Sequence, residues 1–187
     1  MRNSLADVVD AALRVLDEHG LEACSMRRVA AELDVQPSAL YHHVPNKQTL
    51  LALMADEIVA PVGAELDVGA IAGFEPRAPR DLCVSLRDAM LAIRDGADVV
   101  STAEAFRLGA SQIERRLAAL VGPDGARTLL LYTFGHAQST QMHRQAAAFG
   151  ALVTTDGAGE GSLPDADLDA SFERGLDIIL AGLAQQR

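Results

Sequence analysis

Side chains able to meet a nucleic acid are concentrated between Ser25 and Lys47, in the run SMRRVAAELDVQPSALYHHVPNK. Arg27, Arg28 and Lys47 carry positive charge, and Gln36 carries an amide that can pair bidentately with adenine. Ser25, Ser38, Tyr41, His43 and Lys47 are suited to phosphate oxygens, Pro37 or Ala39 can touch a thymine methyl, and His42 stands on the outside or its edge. Arg27 can reach either target. Interleaved with them are Val29, Ala30, Leu33, Val35, Leu40 and Val44, which are apolar. Two short helices joined by a tight turn at Asp34-Val35 turn that apolar set inward and the polar set outward. This is the arrangement of a helix-turn-helix, which lays its second helix in the major groove and braces the first on the backbone. The DNA-facing residues expected are Ser25, Arg27, Gln36, Pro37, Ser38, Ala39, Tyr41, His42, His43 and Lys47, and the expected partner is double-stranded DNA.

Other constellations are poorer. His136 and His143 stand seven apart, near one helical face, but no carboxylate beside them completes a metal site. Glu104 and Glu114 belong to no acid-base pattern, and the GxGxG of Gly157 to Gly161 follows no expected strand. No catalytic residue, metal or cofactor is expected, and the chain is read as a non-enzyme. Cys24 and Cys83 are far apart, outside any ligand spacing, and are expected to be reduced and buried.

The chain has 187 residues, of which 49% are hydrophobic but only 4% aromatic, so its core must be made of Leu, Val, Ile and Ala. That composition favours packed helices over a sheet sandwich. With no apolar run long enough to span a bilayer and no leader pattern, the expectation is a cytoplasmic protein without a membrane partner. A net charge of -10 excludes indiscriminate nucleic-acid binding. Residues 1–50 carry five Lys/Arg against seven Asp/Glu, a net of -2, so any positive DNA face must be local.

The periodicity reads as helices throughout. Ser4 with Asp7 starts a helix carrying Leu5, Val8, Val9, Ala12, Val15 and Leu16, stopped at Gly20. A helix opening at Gln36-Pro37 runs to His43, and Asn46 caps one bearing Leu50, Leu51, Met54 and Ile58. Gly and Pro punctuate residues 61–79 as a connection. Helical patterns resume with Leu82, Leu86, Met90 and Ile93, around Ala103 to Phe106, and with Ile113, Leu117 and Leu120. After the Gly122-Pro123-Asp124 turn a long helix holds Leu129, Leu130, Tyr132, Phe134 and Phe149. Thr154 to Pro164 is a Gly-rich loop, and the last helix carries Leu168, Phe172, Leu176, Ile179, Leu180 and Leu183. The fold class expected is all-α. A helix-turn-helix domain is expected over residues 1–46 and a larger helical domain over 47–187, with 47–61 as connecting helix.

From Leu13 to Ile58 the chain resembles the N-terminal domain of the TetR (tetracycline repressor) family of bacterial transcription regulators. The residues that carry the resemblance are Gly20, Ser25-Met26-Arg27-Arg28-Val29-Ala30, Val35, Leu40-Tyr41-His42-His43-Val44 and Asn46-Lys47. Arg94-Asp95-Gly96-Ala97 and the run of Phe172, Gly175-Leu176, Ile179 and Gly182-Leu183 extend it into the second unit. The resemblance implies a homodimer whose helices near 124–150 and 166–184 pair into a four-helix bundle. It also implies a ligand-responsive regulator, by default a repressor, that reads a near-palindromic operator and is released by a small molecule. The rival reading is a helical ligand-binding protein without DNA function.

For the effector, helical spacing gathers Leu82, Leu86, Met90, Phe106, Phe134 and Met142, with Gln112, His136 and Gln138 as polar orienting groups. Magnesium-bound tetracycline is not the expected ligand. Where the tetracycline-binding branch has its metal histidine, its drug-contacting histidine and its asparagine, this chain has Val100, Gly63 or a neighbour, and Leu82. A different, mostly apolar effector is expected.

Overall fold

The first helix, α1 (Leu5–His19), begins where the sequence puts a capping box. Ser4 Oγ accepts from the Asp7 amide, and Asp7 Oδ2 accepts from the Ser4 amide. Val8, Val9, Ala12, Val15 and Leu16 are buried on one face, whereas Leu5 at the first turn is exposed. The structure is a computed structural model that describes residues 3–63, 77–106, 111–150 and 165–186. The Gly-rich loop expected at 154–164 and its GxGxG lie outside those residues, as does most of the connection after Gly63.

Ser25 caps α2 (Met26–Glu32), its hydroxyl accepting from the Arg28 amide. That helix ends in a Schellman motif, with the Val35 amide on Ala30 O (3.0 Å) and the Asp34 amide on Ala31 O (3.1 Å). Asp34 takes the left-handed position there, with φ at 53°, a conformation Asp tolerates better than most residues. The next helix, α3 (Pro37–Leu40), is four residues long. It is shorter than expected: Tyr41 to His43 form a turn instead, closed by the Val44 amide on Leu40 O (2.8 Å). Leu40 and Val44, both buried, pin this short segment to the core of the first three helices. Asn46 Oδ1 then accepts from the Thr49 amide to start α4 (Lys47–Val59).

About two-thirds of the chain lies beyond α4, and its described parts are again helices. α5 (Arg77–Leu91) starts earlier than the Pro-rich sequence implies, because Pro79 falls in the first turn, where a missing N–H costs nothing. α6 (Gly96–Ala105) is longer than the piece expected around 103–106. Val99, Val100 and Thr102 are poor helix formers in isolation, but burial of Val99, Val100 and Ala103 overrides that preference. α7 (Ser111–Ala148) breaks at Gly122 (φ 81°), as the Gly-Pro-Asp turn predicts, into a short first arm and a long second one. α8 (Asp165–Gln185) buries Phe172, Leu176 and Leu180, while Phe149, expected on the long helix, lies just past the end of α7 and is exposed. α4 packs most extensively on α6, and the second arm of α7 packs against α5 and α8. Among the described residues there is no strand, and no helix is long and apolar enough to cross a membrane. Both cysteines are buried free thiols, and burial pushes that of Cys83 up to about 11.

The Schellman turn generates a test. Asp34→Val places a β-branched residue at positive φ and is expected to cost about 1–2 kcal/mol. Asp34→Gly avoids that loss. Urea denaturation of the two variants reads the difference.

Candidate nucleic-acid interface and ligand cavity

The exposed surface around α3 is built by burying its alternate members. Because Leu40 and Val44 are pinned inward, Gln36, Ser38, Ala39, Tyr41, His42 and His43 all face out, and Pro37 is half-buried. Ser25 and Arg27 from the start of α2 and Lys47 from the start of α4 are exposed as well. All ten sequence-predicted residues therefore lie on this three-helix unit with their polar ends accessible. Among the described residues no side-chain hydrogen bond or ion pair holds Arg27, Gln36, Tyr41, His42, His43 or Lys47. Ser25 Oγ spends its acceptor on the helix cap, which leaves its proton free to donate. Glu32, an acid on the same unit, is paired with Arg14 (3.0 Å).

This unit is joined to the rest through the turn before α6. Asp95, itself at positive φ (57°), accepts from the Leu21 amide (2.7 Å) and from Gln145 Nε2 on α7. Arg94 donates to Asp17 and to the Glu18 carbonyl at the end of α1. Gly20 (φ 79°, ψ 171°) adopts a conformation reserved for glycine, and a Cβ there would meet Asp95 Oδ2 at 2.9 Å. One turn further along α6, Asp98 accepts from Gln138 (3.0 Å) and Gln141 (2.7 Å), and Gln141 Oε1 accepts from the Ala97 amide.

A cavity of about 1150 Å³ opens between the end of α4, α6 and both arms of α7. Of the effector residues expected from sequence, Gln112, Phe134 and Gln138 line it. The others need correction. Leu82, Leu86 and Met90 are fully buried in the packing of α5 and do not reach the cavity. Phe106 and Met142 are 67% exposed and outside it. The lining is also less apolar than expected, for it includes Asp56, Glu104, Glu114, Arg115, Arg116 and Arg127. Sequence reasoning missed the arginines because a charged residue on an amphipathic helix ordinarily faces solvent. Val100 and Leu82, the two clearest departures from a magnesium-tetracycline site, are both fully buried.

His136 belongs to a different cluster, between α5, α7 and α8. Arg87, 4% exposed, donates to Asp169 (2.7 Å), to Thr140 and through Nε to His136 Nδ1 (3.4 Å). Its guanidinium lies 5.0 Å from the Phe172 ring centroid, and Phe172 stacks on Tyr132. The effector expectation failed for His136 because the group that occupies it, Arg87, lies 49 residues away in sequence. Burial and the Arg87 charge lower the His136 pKa, outweighing the opposing pull of Asp169.

Comparison with known proteins adds to this geometry. Residues 8–54 match the family described as bacterial regulatory proteins, tetR family. The tetracycline repressor protein class A from transposon 1721 of Escherichia coli is 31% identical over 96% of this chain and 90% of its own length. Two other curated relatives are matched over only 24% and 45% of their length. Among solved structures, Mycobacterium smegmatis BioQ superposes with a TM-score of 0.85 at 33% identity, covering 99% of both chains. A BioQ solved with its double-stranded DNA operator gives 0.75 at 30% identity, over 98% of this chain and 99% of that one.

The lowered His136 pKa has a consequence for stability. A histidine depressed in the fold binds its proton more readily when unfolded, so its contribution is complete above the unfolded pKa of about 6.5 and declines as pH falls below it. The protein is expected to lose stability between about pH 7.5 and about pH 5.5, and His136→Gln to lose less over the same interval. Thermal melts at the two pH values check this.

Proposed function

The chain belongs to the tetR family of bacterial regulatory proteins, and on that premise we propose that it is a homodimeric repressor that leaves its operator when a small molecule enters the cavity beside α6. The observation that carries this reading is the outward face of α3, whose polar side chains have no internal partner and stand over a buried Leu40–Val44 anchor. Gln36, Pro37 and Ala39 are assigned to base edges, Ser25, Ser38, Tyr41, His43 and Lys47 to phosphates, and His42 to the edge of the same face. Arg27 is assigned to the bracing contact. The domain boundary is put at Asn46, with α4 as the connecting helix, since α4 packs on both α1 and α6.

Dimerisation is assigned to the second arm of α7 together with α8. Leu131 (62% exposed) and Ile178 (74% exposed) leave an apolar face there that a second copy can cover. A two-fold dimer reads half-sites about 34–36 Å apart, hence a near-palindrome. Release requires the effector to bind one spacing of the two reading units more tightly than the other. The class A repressor supports this class of regulator, and the BioQ structure with its operator supports DNA as the partner. A regulator of this kind needs no catalytic group.

Fluorescence anisotropy with DNA from the gene's own upstream region, over a salt series and against an unrelated duplex, tests the reading. Tight, salt-sensitive binding to the upstream DNA alone is expected; equal weak binding to both duplexes would favour a ligand-binding protein without DNA function. Arg27→Ala is expected to weaken binding while size-exclusion chromatography still reports a dimer. Gln36→Ala is expected to relax preference at one base pair by about 1–3 kcal/mol more than it lowers affinity elsewhere.

A further inference from the structure

Two features of the cavity wall point to the chemistry of what it binds. The first is an excess of unpaired cation. Among the described residues no carboxylate lies within ion-pair distance of Arg115, Arg116 or Arg127, although all three line the cavity. Of the acids on the same wall, Asp56 and Glu104 already have interactions of their own, which leaves Glu114 to oppose three guanidinium groups. The second is Ser101 Oγ, buried on the α6 side, which has no hydrogen-bond partner among the described residues. A buried hydroxyl in that position calls for an acceptor. Beside these donors the lining is apolar, with the buried Val59, Ile113, Leu130 and Phe134.

Arg116 is already oriented. Its Nη1 donates to the Val62 carbonyl (2.8 Å), just past the end of α4, and its remaining N–H groups are free for a second acceptor. A guanidinium fixed by one carbonyl and lacking a counter-ion is a receptor for a carboxylate, which it can hold by two parallel hydrogen bonds.

We propose that the effector is an amphipathic organic acid whose carboxylate pairs with Arg116 and whose apolar body lies on Val59, Ile113, Leu130 and Phe134. The proposal rests on the reading of this cavity as the effector site. It also supplies a route to the DNA face. An anion at Arg116 binds the same guanidinium that holds the Val62 carbonyl, and so acts on the end of the helix whose first residue is Lys47.

Two fluorescent probes on the full chain test it: 1-anilinonaphthalene-8-sulfonate, an aromatic anion, and Nile red, an uncharged dye. Arg116→Gln is expected to weaken the anion about tenfold, the loss of one charged hydrogen-bonded contact, and to leave Nile red affinity within about twofold. Arg116→Lys, which keeps the charge, restores part of the loss. Competition by 2-naphthoate but not by 2-naphthamide extends the result to a carboxylate. Unchanged anion binding in Arg116→Gln, or equal loss for both dyes in a variant that melts like the parent, overturns the proposal. The exposed Arg127→Gln guards against a folding defect, since its side chain has no partner among the described residues to lose. Weakening of the anion alone by Arg127→Gln in addition to Arg116→Gln supports an arginine-held anion; unchanged anion binding in Arg116→Gln overturns the proposal whatever Arg127→Gln does. Operator binding by the same preparations is read separately. A protein that binds its operator but shows no arginine-dependent anion site refutes only the acid, whereas one that binds no DNA refutes the regulator.

Discussion

Asp95 is the side chain through which the reading unit is held to the rest of the molecule. One of its oxygens takes the Leu21 amide from the loop after α1, and the other takes Gln145 from the long helix α7. The two donors come from separate elements and belong to the two halves of the chain. The neighbouring Arg94 adds bonds to Asp17 and to the last turn of α1. The orientation of α3 is thereby referred to α7, the helix that also lines the cavity. α4, which packs on both α1 and α6, is a second connection.

The charge distribution follows from the same division. A protein with a net charge of -10 cannot rely on general attraction to phosphate. The described structure answers this by leaving Arg27, Arg28 and Lys47 exposed on the reading unit, while Glu32 nearby is engaged by Arg14. Other arginines are consumed internally or turned inward, Arg87 under Phe172 and Arg116 toward the cavity.

The reading unit was legible in the sequence because its signals are local. Ser4 with Asp7, Ser25, Asn46 and Gly20 mark helix ends through contacts three or four residues away, and each occupies the cap expected of it. Leu40 and Val44 fix which face of α3 is outward, so the exposed set could be named in advance. The cavity was not legible, because its walls are brought together from α4, α6 and α7, and periodicity cannot tell which apolar stripe faces a void. Leu82, Leu86 and Met90 have the spacing of a binding face but fill the α5 core. His136 looked like an orienting group until Arg87 and Asp169, distant in sequence, claimed it. α3 was shorter than its pattern, since the turn through His43 is closed by backbone bonds to Leu40 that no side-chain pattern reports.

The fit of Gly20 against Asp95 limits how freely such halves can be interchanged. A foreign reading head grafted onto this core meets the Asp95 carboxylate at its own α1 terminus, where any side chain at the Gly20 position stands 2.9 Å from an oxygen. The joint accepts only heads that end α1 on glycine and then present a backbone N–H where Leu21 does. Compatibility between parts is thus written where Asp17, Glu18, Gly20 and Leu21 meet Arg94 and Asp95.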